Sequence, residues 1–409
     1  MILFVLQCLW TIVASQSSTG ITDIYLTVSS LTDGGDRRLE LNWKGSDPEA
    51  LVALYNAPPA TDRPPLVTIK GNSGGYFRTR FRFPEVPFTK LNLTSNCLGF
   101  WIAILKQERI LQSKCIQGHP HWMHESRNYI GNLSLIDLML PGSHNTGSHS
   151  RYNPDEDNVF SRYLYTQEED VFNQLAYGIR YLDLRVAYFS SRRSPETLWI
   201  THSSFRTNLT VKDVIRQVKS FLQATNEIVI MDFHRFVTGF KSRQAGERHR
   251  DLISLLEREV GDIMIPVSFS TRASLETLWL TNKRLYVGYA EKRFRTASPY
   301  LFPAVKHLWG DVDEVDDLWS YLNDTVCENS GVRLTSAMAQ LTPTTAGVLF
   351  NSYGGLRKMA SLVNRRVTQW FAENWLECAN IVSTDFILGN GITELAISVN
   401  KNRTHRANF

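Results

Sequence analysis

The sequence predicts an α/β chain: a (β/α)8 barrel of the TIM type, preceded by a small all-β sandwich. Two patterns predict it. Residues 20 to about 116 hold short strand-like runs separated by Gly/Pro/Asp turns, and from about residue 130 such runs alternate with helical ones. The chain has 409 residues, enough for one large domain and a small one.

In the first part the expected strands are DIYLTVSS, RLELNWKG, ALVALYN, PLVTIKG, YFRTRFRF and LGFWIAIL, with DGGD, APPATDRPP and GNSGG between them. Short strands at this spacing suit a β-sandwich, and none of them carries a catalytic pattern. GHPHWMHES (Gly118–Ser126) bridges to the second part, which sets the expected domains at 16–118 and 119–409.

In the second part the expected strands are LMLPG, RYLDLRVAYF, LWITHS, EIVIMDFHRF, RLYVGYAE, weaker segments near HLWGDVDE and RLTSAMAQL, and NIVSTDFIL. The run SLIDLML (Ser134–Leu140) reads as the buried strand that leads into LPGSHNTGSH. Helical runs fall between several of these: VKDVIRQVKSFLQA, RDLISLLEREV, VDDLWSYLNDTV and SLVNRRVTQWFAENWLE. Eight β segments over ~280 residues suit a barrel, with a doubly wound open sheet as the second choice.

The opening residues MILFVLQCLWTIVAS hold an apolar run of about a dozen, the length of a signal-peptide core and short of a ~20-residue membrane span. Residues 1–15 are therefore expected to be removed before Gln16, and the mature protein to be secreted, without a lipid-anchor tail in KNRTHRANF. Cys8 leaves with that segment. Cys97, Cys115, Cys327 and Cys378 remain, and pairing Cys97 with Cys115 and Cys327 with Cys378 keeps each bridge within one expected domain. Asn92, Asn132, Asn208, Asn323 and Asn402 each begin an Asn-x-Ser/Thr glycosylation triplet, of which only some are expected to be used. Lys and Arg exceed Asp and Glu by 44 − 40 = 4 with no long basic run, which argues against nucleic acid as a partner and leaves peripheral membrane contact open.

Polar residues gather at strand ends, where barrel enzymes carry their chemistry. His144 follows LPGS in a loop of small residues. Asp183 and Arg185 alternate with Leu182, Leu184 and Val186, so period two sets the ionisable pair on one face. His202 ends LWITH, Asp232 and His234 share a face of IVIMDFHRF, and Asp385 comes late in NIVSTDFIL. Six ionisable groups at strand ends are hard to place as core filling, because unpaired buried charge is costly.

LPGSHNTGSH, GIRYLDLRV, the THS histidine, IVIMDFHRF and the late TDFI, in this order, resemble the X domain of phosphatidylinositol-specific phospholipase C. The subgroup most similar is the X-domain-containing proteins, and Trp122–Met123 ahead of the barrel resembles that subgroup as well. The likeness covers about residues 119–409 and leaves the sandwich outside it. It implies that His144 is the general base for the inositol 2-hydroxyl and His202 the general acid for the departing diacylglycerol oxygen. It also implies that Asp385 orients the base. Signalling members hold calcium through an asparagine and three acids; this chain keeps Asn145 and Asp183, has Arg185 at the second acid's place, and brings the last place on or beside His234, with Asp232 as the remaining candidate ligand. Two oxygen donors are too few for calcium, so no cofactor is expected and Arg185 takes the metal's place, as in bacterial members.

Other readings stand beside these. Asp183–Arg185 also reads as a structural ion pair, and His234 as a polar group near the substrate rather than an acid or base. His119, His121 and His124 lie in a linker without a cysteine or acid at zinc spacing. His149 caps or lines its loop. Trp309, Asp311, Asp313 and Asp316 read either as contacts to inositol hydroxyls or as a solvated helix start. The function expected is an exported phosphodiesterase acting on an inositol phospholipid or a glycosyl-phosphatidylinositol at a membrane surface. The alternatives are a catalytically silent module that binds lipid headgroups or glycans through the sandwich, and cleavage of sphingomyelin or a glycerophosphodiester on a related barrel.

Overall fold

The structure is a computed structural model that describes residues 20–190, 195–203 and 205–404. The expected signal segment and Cys8 lie outside the described residues. Seven antiparallel strands come first: β1 (Ile21–Val28), β2 (Arg38–Gly45), β3 (Leu51–Tyr55), β4 (Val67–Lys70), β5 (Tyr76–Arg82), β6 (Cys97–Lys106) and β7 (Arg109–Gln117). They form two sheets, ordered β1-β2-β5 and β4-β3-β6-β7. The inner positions of β1, β2, β3 and β6 (Ile24, Leu39, Leu41, Val52, Leu54, Ile102) are apolar and buried, as a two-sheet sandwich requires. Six of these strands were expected. The seventh, β7, escaped because RILQSKCIQ alternates toward polar residues; it pairs with β6, and the Cys97–Cys115 bridge joins the two.

The second part begins with β8 (Leu140–Ser143) and continues through β9 (Tyr181–Tyr188), β10 (Leu198–His202), β11 (Phe205–Thr210), β12 (Val229–Phe236), β13 (Leu285–Tyr289), β14 (Leu301–Pro303), β15 (Lys306–Leu308), β16 (Thr335–Met338) and β17 (Ile381–Thr384). Eight parallel strands curl in the order β14-β13-β12-β9-β8-β17-β16-β15, and among the described residues β14 and β15 are not paired across the ends of this path. Strands β8, β13, β16 and β17 are buried along their whole length, as strands covered on both faces are, whereas β14 and β15 at the ends of the path each expose a residue. Helices Val211–Ala224, Ala245–Val260, Val315–Thr325 and Leu356–Asn374 pack on the outside at the four expected places. The first is opened by a capping box in which Thr210 and Asp213 satisfy each other's backbone N–H groups. Cys327 and Cys378 are bridged, with Cα atoms 5.0 Å apart.

Two expectations are corrected. SLIDLML is not the strand: Asp137 accepts hydrogen bonds from the Ser134 N–H and hydroxyl, which turns the chain, and the strand is LPGS itself. LWITH is not a barrel strand either. β10 pairs antiparallel with β9 (Leu198 to Tyr188, Trp199 to Ala187, Ile200 to Val186) and forms a hairpin with β11. An apolar run gives the period of a strand but not its direction.

The sandwich is fused to the barrel. Its core (Ile24, Val52, Phe83, Phe88) is continuous with Val171, Leu175 and Tyr177 of the second part. The buried Arg37 reaches Glu169 at 2.7 Å across the seam. Beneath the barrel, Arg180 and Glu227 form a fully buried pair at 2.5 Å; Glu227 accepts the N–H groups of Met123 and His124, and Arg180 donates to the carbonyls of His119 and Pro120. This pair seats the linker.

Candidate active site

β8 ends at Ser143 and the chain turns sharply, with Asn145 in the left-handed region (φ +44°), a conformation asparagine tolerates better than most residues. The Asn145 N–H donates to Asp183 Oδ2 at 2.9 Å, which ties the turn to β9. Thr166 and Gln167, on the long segment after β8, hold the His144 carbonyl from behind, and Gln167 also donates to the Thr384 carbonyl on β17. Asn364 donates to the Asp385 carbonyl. Backbone bonds of this kind leave the side chains of His144 and Asp385 little freedom.

Those two side chains meet. His144 Nδ1 lies 2.7 Å from Asp385 Oδ1, and both groups are buried. On the ring's other side Arg185 Nη2 lies 2.7 Å from His144 Nε2 and 3.5 Å from Asp183 Oδ2. Asp183 is fully buried; against the cost of burial, Arg185, His307, His144 and His234 hold its carboxyl well below the usual range. Its Oδ1 and both polar atoms of the Asn145 side chain are buried without a hydrogen-bond partner among protein atoms. They are groups poised for a ligand, since unsatisfied buried polar atoms are costly.

His202 ends β10, which runs back along β9, and its Nδ1 lies 2.7 Å from the Leu164 carbonyl. That contact puts the proton on Nδ1 and leaves the lone pair on Nε2. Burial first, then the charges of Arg185 and His144, push its pKa down to about 3. A second polar group adjoins. Asp232 accepts from the Tyr181 hydroxyl at 2.9 Å and lies 3.5 Å from His234 and 3.8 Å from His307. Burial holds the Asp232 carboxyl up; His234 is raised, its burial outweighed by Asp232 and Asp183, whereas burial pushes His307 down to about 3.

Of the residues singled out in the sequence, His144, Asp385, Arg185, Asp183 and Asn145 form one contact network, and the charges of that network reach His202, Asp232 and His234. Trp309 stands at the rim, 44% exposed, with its Nε1 on the Thr342 hydroxyl. Asp313 accepts from the Tyr353 hydroxyl and Asp316 lies 3.8 Å from Arg366. The linker histidines do not cluster: His119 lies 3.4 Å from Glu394, His121 bonds the Leu93 carbonyl, and His124 packs edge-on against Trp279. His149 is half-buried, and desolvation of its ring lowers its pKa. All five glycosylation-triplet asparagines are exposed. Tyr181, Gln167 and His307 were not singled out; a lone histidine in VKHLW and a tyrosine opening a strand carry no spacing signal.

The calcium reading can be tested on the donor set. Asn145 and Asp183 supply two oxygens, the Arg185 guanidinium lies against Asp183, and Asp232 belongs to the adjoining group of Tyr181, His234 and His307. Calcium takes six to eight oxygens, and a fixed guanidinium beside them repels it. The residues do not fit the ion.

A buried histidine is held between a carboxylate and a guanidinium, and the charges of His144 and Arg185 reach a second histidine, His202. A PI-PLC X domain-containing protein 1 of Danio rerio is 27% identical over 310 residues, 69% of this chain and 97% of that protein. The chain is a homologue of the PI-PLC X domain-containing proteins. The human X domain-containing protein 1 is 25% identical and covers 70% of this chain and 94% of its own length. A variant-surface-glycoprotein phospholipase C of Trypanosoma cruzi is 30% identical over 213 residues, 44% of this chain and 53% of that protein. Among solved structures, a mutant of the phosphatidylinositol-specific phospholipase C of Staphylococcus aureus superposes with a TM-score of 0.51 at 14% identity, covering 68% of this chain and 97% of its own, a likeness of fold. No protein-family model matches the chain. The mixed α/β fold with a curled parallel sheet is the one expected for the second part of the chain.

Proposed function

We propose that this chain is a metal-independent phosphoric diester hydrolase or lyase of the phosphatidylinositol-specific phospholipase C type, exported and glycosylated, that cleaves an inositol phospholipid or a glycosyl-phosphatidylinositol at a membrane surface. The observation that carries the proposal is the Asp385–His144–Arg185 array, with 2.7 Å at each contact.

In this reading His144, kept neutral with its proton on Nδ1, takes the proton of the inositol 2-hydroxyl at Nε2 as that oxygen attacks phosphorus. Asp385 stabilises the imidazolium that forms. Arg185 moves from the imidazole to the phosphate oxygens, where one well-aimed donor contributes about 3 kcal/mol to the transition state. His202 returns a proton to the leaving glycerol oxygen. Its low pKa in the free protein comes from burial beside two cationic groups, and a bound phosphodiester anion reverses that field and restores the proton. The product is a cyclic 1,2-phosphodiester of inositol. Each proton transfer is worth about 10²–10⁴ in rate.

The membrane part of the proposal is supported by the rim. Phe160, Phe205, Leu349 and Phe350 are exposed on segments around the mouth, and Phe160 stacks edge-on with Phe205 at 6.2 Å. The trypanosome relative, named for a surface glycoprotein, supports the anchor substrate. The test is diacylglycerol release from phosphatidylinositol, and release of an anchored reporter from cells, with EDTA present. Activity is expected to survive the chelator and to vanish in His144→Ala. A His144→Ala variant with unchanged turnover rules the mechanism out, and liposome binding without turnover on any inositol lipid favours the silent binding module.

A further inference from the structure

We propose that Asp232, His234 and His307 form a binding site for a borderline divalent transition-metal ion of the zinc type, separate from the Asp385–His144–Arg185 array. One ligand atom from each of the three lies within 4.8 Å of the other two. The carboxylate oxygen is 3.5 Å from His234 Nδ1 and 3.8 Å from His307 Nε2. Neighbouring ligands of a tetrahedral zinc ion with bonds of about 2.0–2.1 Å stand about 3.4 Å apart, so Asp232 Oδ2 is already close to ligand spacing from both nitrogens, and binding requires the two rings to rotate out of their parallel stack until both lone pairs meet at one ion. The rings are stacked face to face, centroids 3.4 Å apart and 6° from parallel. His234 Nδ1 has no hydrogen-bond partner, and its side chain is 30% exposed, which leaves it free to tilt and gives an ion a way in.

The carboxylate is preset. Asp232 Oδ1 accepts the Val305 N–H and lies where a side chain at Gly288 would collide with it, a Cβ there coming within 2.3 Å. Oδ2 is thereby turned toward the imidazoles and is held by the Tyr181 hydroxyl, the outer-shell support that metal-binding carboxylates generally have. Tyr181 also bonds His307 Nε2 at 2.8 Å; on binding, that nitrogen turns to the ion and Tyr181 keeps Asp232. Two imidazoles and one carboxylate select zinc, cobalt, nickel or copper and not calcium, which takes oxygen ligands only. Three protein ligands leave a fourth position open at the mouth. The site stands whether or not the chain turns over a phosphodiester.

The experiment uses the full chain, stripped of metal with a chelator and titrated with cobalt(II) alone, followed by its visible absorption and by calorimetry. One equivalent with a ligand-field band is expected, displaced by zinc and not by calcium. His234→Gln and His307→Gln are expected to remove the band, Tyr181→Phe to weaken binding about 10–100-fold, and Asp385→Asn to leave it unchanged. Circular dichroism checks folding; should His307→Gln not fold, the half-exposed His234→Gln carries the test. Absence of a band in the native chain, a band that persists without His234, or displacement by calcium overturns the proposal.

Discussion

Arg185 donates to the Nε2 of His144 at 2.7 Å. A guanidinium has only donors to offer, so Nε2 is an acceptor, the ring proton is on Nδ1, and Nδ1–H points at Asp385. One contact thus fixes which ring nitrogen accepts and which donates. In the proposed mechanism the base is then capped at rest: the cation that shields the lone pair of His144 is the one that must turn to the phosphate before the lone pair is free.

Arg185 therefore has two duties, and its loss is felt in turnover. Arg185→Ala is expected to lower kcat for headgroup release by about 10²–10³. Arg185→Lys is expected to recover little, because a point charge cannot serve imidazole, Asp183 and phosphate with a planar fork. The measurement is kcat with EDTA present, and an Arg185→Ala variant that keeps its full rate contradicts the role.

The sequence made this much readable because charges at period two within apolar strands are conspicuous: Asp183 and Arg185 in β9, Asp232 and His234 in β12. What stayed hidden depends on long-range pairing. The direction of β10 follows from its antiparallel pairing with β9, so His202 comes from a strand that runs back along β9 rather than from a parallel barrel strand's end. The strand at LPGS was displaced by a local Ser134–Asp137 turn that competes with extended backbone. His307 meets Asp232 only through the curl of the sheet, and Arg37 meets Glu169 only because the sandwich is fused to the barrel.

Two buried histidines make stability depend on pH. His202 and His307 are pushed down to about 3, from an unfolded value near ~6.5. Between these limits the unfolded chain binds more protons than the folded one, so stability rises with pH across the window and is lost as pH falls from about 6.5 toward 3. The raised His234 acts with the opposite sign, contributing stability that fades as pH rises through its folded value. Tm measured from pH 7 down to pH 4 is expected to fall, and to fall less steeply in His307→Gln. A flat Tm across that range contradicts the burial of both rings.

The seam pair should matter beyond stability. Arg37 is the partner of the buried Glu169, and the Glu169 carbonyl accepts from Gln174, which also holds the Thr146 carbonyl in the His144 turn. Arg37→Met leaves a buried carboxylate without its cation, a loss of about 3–5 kcal/mol by the usual cost of breaking such a pair. Urea unfolding is expected to show that loss, and headgroup release by the variant that remains folded is expected to slow. Arg37→Met with native stability would falsify the view that the sandwich braces the catalytic turn.

The rim predicts a separation of binding from chemistry. Phe160 is 74% exposed and Phe350 82%, on different segments at the same end of the barrel as His144. Aromatic side chains left in water around a phosphodiester site gain by entering a lipid interface, at about 25 cal/mol for each Å² of apolar surface removed from water. Phe160→Ser and Phe350→Ser touch none of the groups that move protons. They are expected to weaken sedimentation with phosphatidylinositol vesicles and to raise the apparent KM on vesicles, while kcat on a soluble short-chain or headgroup-only substrate stays as it was. A loss on both kinds of substrate would place these residues in the catalytic step instead, and no loss on either would mean that the chain meets its lipid by another face.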